Sequence, residues 1–196
     1  HLFTFFYHNG IRLAALWNPK ARLWVVGRKK FPVISSNNKN TVWIHCASVG
    51  EFEQGRPLME SIRQQYPTCC IILTFFSPSG YEVRKDYNGA DYVFYLPMDS
   101  QTNARRLIAA FKPSLVLWVK YEFWYHYLTE LKKQGIPVLM IAGLFREGQP
   151  FFKWYGGIWR AMLQSFHHFS LQNQASVDLL KTVGITNSSV GGDPRF

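Results

Sequence analysis

The first fifty residues contain no aspartate or glutamate, while Arg12, Lys20, Arg22, Arg28, Lys29, Lys30 and Lys39 place seven positive charges among them. The rest of the chain carries 15 bases and 12 acids, so only three units of the net charge of +10 arise after residue 50. That asymmetry excludes a chain that is basic throughout, and no DNA- or RNA-binding motif of the usual spacing is present, so nucleic acid is not an expected partner. Long hydrophobic runs are also missing. None reaches the roughly 18 residues of a spanning helix, and no small-residue cleavage site follows the first apolar stretch. Cysteine is scarce: Cys46, Cys69 and Cys70 lie in apolar, strand-like runs, are odd in number and lack metal-ligand spacing. This excludes a disulfide framework and leaves buried free thiols of a reducing compartment. His167-His168 has no Cys or carboxylate at ligand spacing, so no metal site is expected. No G-x-G-x-x-G follows the first strand and no G-x-x-x-x-G-K-[ST] occurs, which removes the nicotinamide, flavin and P-loop readings.

What the 196 residues do contain is 47% hydrophobic content, enough for one large packed domain, and a repeating strand–loop–helix pattern. Strands are expected at 41–44, 69–75, 92–96, 115–119, 138–142, 169–171 and 188–190. Helices are expected from Phe52 onward, at 80–85, 101–111, 124–134, 154–164 and 176–183. Alternating units of this length specify a Rossmann-like α/β domain, a parallel sheet with right-handed crossovers and helices on both faces.

The amino-terminal segment combines its positive charge with Leu2-Phe-Thr-Phe-Phe-Tyr7 and then Ile11, Leu13, Ala14, Ala15, Leu16 and Trp17. Such a stretch can lie in the headgroup region of an anionic membrane, with Arg28-Lys-Lys30 held by lipid charge. The alternative is an apolar arm folded onto the domain.

Open α/β sheets bind ligands beyond the carboxyl ends of their strands. The first strand runs into Ser48-Val-Gly50-Glu51, which puts a carboxylate onto the first turn of a helix. The same four residues fit the S-x-x-E capping box, in which both side chains satisfy helix amides, and a helix N-terminus favours the carboxylate form. Capping and catalysis both remain open for Glu51. Further polar groups follow the next strands: Thr74, Ser77, Ser79 and Gly80, then Asp99, then Lys120 and Glu122, then Arg146 and Glu147. Opening on one edge, they would grip a phosphorylated or hydroxyl-rich ligand with hydroxyls, helix amides and cations. The plainer alternative is caps and turns, with Ser79 as an N-cap.

The strings Trp43-Ile-His-Cys-Ala-Ser-Val-Gly-Glu51, Thr74-Phe-Phe-Ser-Pro-Ser-Gly-Tyr81, Tyr95-Leu-Pro-Met-Asp99, Lys120-Tyr-Glu-Phe-Trp124 and Gly191-Gly-Asp-Pro-Arg-Phe196 resemble, in order, the amino-terminal half of the 3-deoxy-D-manno-octulosonic acid (Kdo) transferases. Glu51-Phe-Glu-Gln-Gly-Arg-Pro57 and Phe145-Arg-Glu-Gly-Gln-Pro-Phe-Phe152 resemble its Bacteroidetes-type branch. The resemblance implies a GT-B glycosyltransferase of lipopolysaccharide synthesis, whose amino-terminal domain receives a lipid A precursor and whose carboxyl-terminal domain binds the donor CMP-Kdo. Residues 1–35 are expected, from their composition, to form the membrane-associating arm, and the resemblance implies 36–190 as the acceptor domain and 191–196 as the start of a linker to the donor domain. It further implies Glu51 as catalytic base and inversion without metal or cofactor. The location implied is the cytoplasmic face of the bacterial inner membrane.

Acceptor contacts are expected from Ser48, Gly50, Thr74, Ser77, Ser79, Gly80 and Lys120. Glu122 matches the family's second acidic motif, although the usual Thr-Glu-x-Trp-Pro is here Lys120-Tyr-Glu-Phe-Trp-Tyr. Acceptor positioning and site architecture are both open for it. Arg146 is expected to clamp a phosphate, and Arg56 to do so from the first helix, where a solvated surface role is the alternative. Half of a GT-B pair cannot align donor and acceptor, so the segment is expected to be inactive alone. Two other classes stay open: a GT-B transferase with a soluble sugar acceptor, and a non-catalytic α/β binding module.

Overall fold

The computed structural model of the protein describes residues 9–34, 40–120 and 122–195. Seven strands form one sheet: β1 (Thr41–Cys46), β2 (Cys70–Phe75), β3 (Tyr92–Tyr95), β4 (Leu115–Val119), β5 (Val138–Gly143), β6 (His168–Leu171) and β7 (Ser188–Val190). The helices are α1 (Pro19–Gly27), α2 (Val49–Gln65), α3 (Pro78–Arg84), α4 (Gln101–Phe111), α5 (Tyr125–Lys133), α6 (Gly157–Leu163) and α7 (Gln174–Thr182). Every strand pairing is parallel, in the order β3-β2-β1-β4-β5-β6-β7. The chain starts in the middle, builds outward to β3, and crosses back to β4 to build the other way. β1 and β4 therefore sit side by side while their following loops diverge, which opens a crevice beyond their carboxyl ends.

Strand alternation divides the core into two layers. Trp43, Ile72, Val116 and Trp118 face α4 and α5 through Leu107, Ile108, Phe111, Tyr127 and Leu131. Ile44, Cys46, Ile71, Leu73, Phe75, Leu117 and Val119 face Phe52 and Met59 of α2. Burial on both faces explains why the strands read as unbroken apolar runs, and each large side chain so buried contributes about 1.5–3 kcal/mol. The expected α/β sheet with helices on both faces is the observed one. All three cysteines are free and buried, as expected.

Two local differences from the sequence reading have physical causes. β1 extends to Cys46, which draws His45 into the sheet. The helix expected at 154–164 is only Gly157–Leu163, because a 3-10 turn at Pro150–Phe152 first tucks Phe151 into the core. Gly156 permits that turn, since a Cβ there would stand 2.1 Å from the Pro150 carbonyl oxygen.

In the amino-terminal segment residues 9–14 are helical, and α1 follows with Asn18 as its cap, accepting from the amides of Lys20 at 2.9 Å and Ala21 at 3.3 Å. Trp24 is buried and meets Phe76 edge-on. Arg28 stacks on Trp24, Phe76 and Tyr95 and donates to the carbonyls of Leu96 and Phe76. Arg28 thus anchors the arm to the domain instead of joining Lys29 and Lys30 at the surface, which corrects its expected role at a lipid headgroup. Leu13, Leu16, Trp17, Leu23 and Val26 remain exposed. The Leu2–Tyr7 run and the boundary expected at residue 36 lie outside the described residues. Among the described residues no helix is long and apolar enough to cross a membrane.

Candidate active site

The crevice is built first by the close approach of α2 to the sheet. Gly55 allows it, because a Cβ at that position would already lie 3.2 Å from Val119 Cγ2 and 3.6 Å from Cys46 Sγ. The first turn of α2 consequently stands over the end of β1 and carries Glu51, half-buried, into the crevice. Ser48 occupies the N-cap position with extended backbone, yet its side chain caps no amide. Its hydroxyl donates instead to Glu51 Oε2. The capping-box alternative is therefore corrected: the pair is a hydroxyl–carboxylate contact, and the helix amides are left to other acceptors. At the exposed Gly50 the only atom of the described residues within 4 Å of a notional Cβ is Ser48 Oγ, at 3.7 Å.

The loop after β2 is tied to the same place by the Ser77 amide, which donates to the Ala47 carbonyl at 2.8 Å. Ser77, not Ser79, is the N-cap residue of α3, and the two hydroxyls bond each other at 2.7 Å. Gly80 is required for packing, since a Cβ would come within 2.3 Å of the buried Phe75 ring. Thr74 is fully buried and cannot meet a ligand in the open crevice, which corrects its expected contact role. Its hydroxyl bonds His45 Nδ1 at 2.9 Å and accepts from Trp43 Nε1 at 2.8 Å.

His45 is the link between that strand and Glu122. Parallel register sets His45 between Thr74 of β2 and Trp118 of β4. Its Nε2 lies 2.8 Å from Glu122 Oε2, and the same oxygen accepts from Trp124 Nε1 at 2.8 Å. The Trp118 indole donates to the Glu122 carbonyl. Lys120, just before, has φ of 60° and its amide donates to Ile141 at 3.0 Å. A left-handed lysine costs roughly 1–2 kcal/mol, a strain of the kind found where a backbone is bent toward a site. Both carboxylates act on one atom: burial pushes the Cys46 thiol well above its ordinary value, and Glu51 and Glu122 push it further the same way.

The remaining sequence-expected residues divide between the loop after β5, on the same edge of the sheet, and structural roles. Arg146 is exposed on the loop after β5. Arg56 is exposed and ion-paired with Glu53 at 3.2 Å, which is the surface role that was its alternative. Asp99 accepts from the amides of His126 and Tyr127 at 3.1–3.2 Å and so closes the start of α5. Sequence reasoning missed His45, Trp124 and the buried Gln54, whose amide donates to Asp193 Oδ2 at 2.8 Å. Arg195 grips Asp193 through Nε at 3.0 Å and Nη2 at 2.6 Å, holding that carboxyl well below the usual range. Among the described residues no group of three or more His, Cys, Asp or Glu side chains is arranged to hold a metal ion.

A family model described as 3-deoxy-D-manno-octulosonic-acid transferase (kdotransferase) matches residues 12–196. The chain is 26% identical over 171 residues to a 3-deoxy-D-manno-octulosonic acid transferase of Aquifex aeolicus, covering 86% of this chain and 44% of that protein. Similarity to the protein of the same name from Haemophilus influenzae is 32% over 100 residues, or 50% of this chain and 23% of the relative. The chain thus matches less than half the length of these relatives. Among solved structures, the UDP-GlcNAc 2-epimerase of Neisseria meningitidis bound to UDP-GlcNAc aligns with a TM-score of 0.59 at 17% identity, over 78% of this chain and 46% of the other. MurG of Acinetobacter baumannii aligns with a TM-score of 0.51 at 12% identity, over 70% of this chain and 42% of the other. Likeness at that identity establishes the fold, that of one half of a GT-B-type protein.

Proposed function

The chain belongs to the 3-deoxy-D-manno-octulosonic-acid transferase family, and from that premise we propose that it is the acceptor-binding half of an enzyme that moves Kdo from CMP-Kdo to a lipid A precursor. The observation that carries the reading is Glu51, on the first turn of α2 at the β1/β4 crevice, with the Ser48 hydroxyl on one carboxylate oxygen. A sugar hydroxyl of the acceptor attacks the anomeric carbon of Kdo, the bond from that carbon to the CMP phosphate oxygen breaks, CMP leaves with the electron pair, and Glu51 takes the hydroxyl proton. One displacement inverts the anomeric centre and calls for neither metal nor cofactor. Ser48, Gly50, Ser77 and Ser79 line the acceptor side, with Lys120 and Arg146 as cations for its phosphates and Thr74 acting through His45, while Gly80, buried against Phe75, shapes the loop without touching the acceptor. Arg56 stays at the surface.

CMP-Kdo sits mainly on a second, carboxyl-terminal domain, so this half alone turns nothing over. The exposed Leu13, Leu16, Trp17, Leu23 and Val26, beside Arg12, Lys20 and Arg22, support a peripheral seat on an anionic inner membrane at its cytoplasmic face. The test is transfer from CMP-Kdo to a lipid A precursor by the full-length protein and its Glu51→Gln variant. A fall of several orders of magnitude with acceptor binding retained is expected, and near-normal turnover would remove Glu51 as the base.

A further inference from the structure

The network behind Glu122 has a defined direction. The Trp43 indole can only donate, so Thr74 Oγ1 receives its proton at 2.8 Å. Thr74 has one proton of its own to give. The choices are His45 Nδ1 at 2.9 Å and the Ile44 carbonyl at 3.5 Å, and the shorter contact wins. Nδ1 then accepts and bears no hydrogen, and Nε2 carries the ring proton and donates it to Glu122 Oε2 at 2.8 Å. With Trp124 on the same oxygen, Oε2 is saturated by two N–H donors. Oε1 takes no hydrogen bond among the described residues, and the Glu122 side chain is 18% exposed at the crevice, whereas His45 is wholly enclosed.

From this we propose that His45 is a positioning residue, fixed as its Nε2–H tautomer by Thr74, and that it holds Glu122 as an acceptor-only carboxylate whose Oε1 reads a second hydroxyl of the acceptor sugar. An ionised carboxylate with one open oxygen binds a hydroxyl and repels a phosphate. Glu122 therefore sets the orientation of an amphiphilic phosphosugar, with its hydroxyl-bearing ring at the β1/β4 crevice and its phosphate turned toward the cations. The same repulsion disfavours entry of the anionic donor on this side. This deepens the glycosyltransferase reading and rests on it only for the identity of the sugar.

The experiment uses the full-length protein. Ring nitrogen chemical shifts of 15N-labelled His45 report the tautomer without any turnover, and the proton is expected on Nε2. A proton on Nδ1, or on both nitrogens at neutral pH, overturns the proposal whether or not the enzyme transfers Kdo. Thr74→Val, which keeps the shape and removes the hydroxyl, is expected to mix the tautomers and raise the KM for the acceptor about tenfold while the KM for CMP-Kdo stays put. Thr74→Ser restores both the tautomer and the acceptor KM. His45→Gln, which retains an N–H near the position of Nε2, recovers more acceptor affinity than His45→Phe. Equal changes in both substrates' KM, or no difference between the valine and serine variants, would mean that the network only supports the fold. A wild-type protein that fails to transfer Kdo but shows the Nε2–H tautomer would overturn the glycosyltransferase reading and leave the geometry standing.

Discussion

Ser48 donates its hydroxyl proton to the carboxylate of Glu51, three residues along, while its oxygen accepts from no amide of the helix that begins between them. The contact orients an acid at the mouth of the crevice, and it does so with a residue whose usual service at that position is to the backbone.

Ser48→Ala is accordingly expected to behave unlike the loss of a cap. Removing a working N-cap costs roughly 0.5–2 kcal/mol, whereas here the urea midpoint should stay close to wild type. Transfer by the full-length enzyme should fall about ten- to a hundredfold, as befits one lost hydrogen bond to a charged group. Paired denaturation and single-turnover assays decide between the two. A drop in stability with unchanged turnover would return Ser48 to the role of a cap.

The sheet was legible because strands buried on both faces leave continuous apolar runs, and Leu115–Val119 and Ser188–Val190 coincide with β4 and β7 as expected. The shortened α6 was not, since the fate of Phe151 depends on tertiary packing against a core that no local pattern reveals. Glu51 and Glu122 were visible as acids breaking apolar runs at strand ends. The meaning of Glu122 was hidden in His45, which sits inside an apolar run and meets Thr74 and Glu122 across separations of 29 and 77 residues. Only the parallel register of β1 with β2 and β4 brings these three together, and register between distant segments is not written in periodicity. A histidine at the end of a buried strand, alternating in phase with Trp43, was the signal available.

The exposed arm makes a separate prediction. Leu16 is 63% and Trp17 75% exposed, so replacing both by glutamate removes little packing. The unfolding midpoint should not move, while binding to vesicles containing anionic lipid should weaken at least tenfold, since inserting each large apolar side chain is worth about 1.5–3 kcal/mol. Vesicle cosedimentation measures it. Unchanged binding would assign the arm to another surface.

Gly80 and Gly50 offer a contrast within one site. Gly80→Ala forces a Cβ to within 2.3 Å of the Phe75 ring, and Phe75 is fully buried and has nowhere to yield. The expected cost is about 1–3 kcal/mol of stability. Gly50→Ala meets nothing closer than 3.7 Å and should leave stability within about 0.5 kcal/mol of wild type. Urea denaturation of the two variants tests the packing without reference to activity.

The carboxyl-terminal segment is pinned to α2 through a charge, and acid should release it. Asp193 accepts from Gln54, whose side chain is buried in α2, and is held by the Arg195 guanidinium, whose hydrogen bonds are the largest cause of its lowered pKa. A carboxyl whose native pKa lies below its unfolded value of about 3.9 contributes stability that is fully present above that pH and is lost as the pH falls through and below it. Wild type should therefore exceed Asp193→Asn in stability at pH 7, with the gap between their urea midpoints narrowing toward pH 3. Amide protection factors at residues 191–195, taken relative to the intrinsic exchange rate at each pH, should fall over the same range in wild type and stay constant in the variant. A gap that is constant from pH 7 to pH 3 would mean that the Asp193 charge does not secure the segment and that its hydrogen-bonding shape alone does.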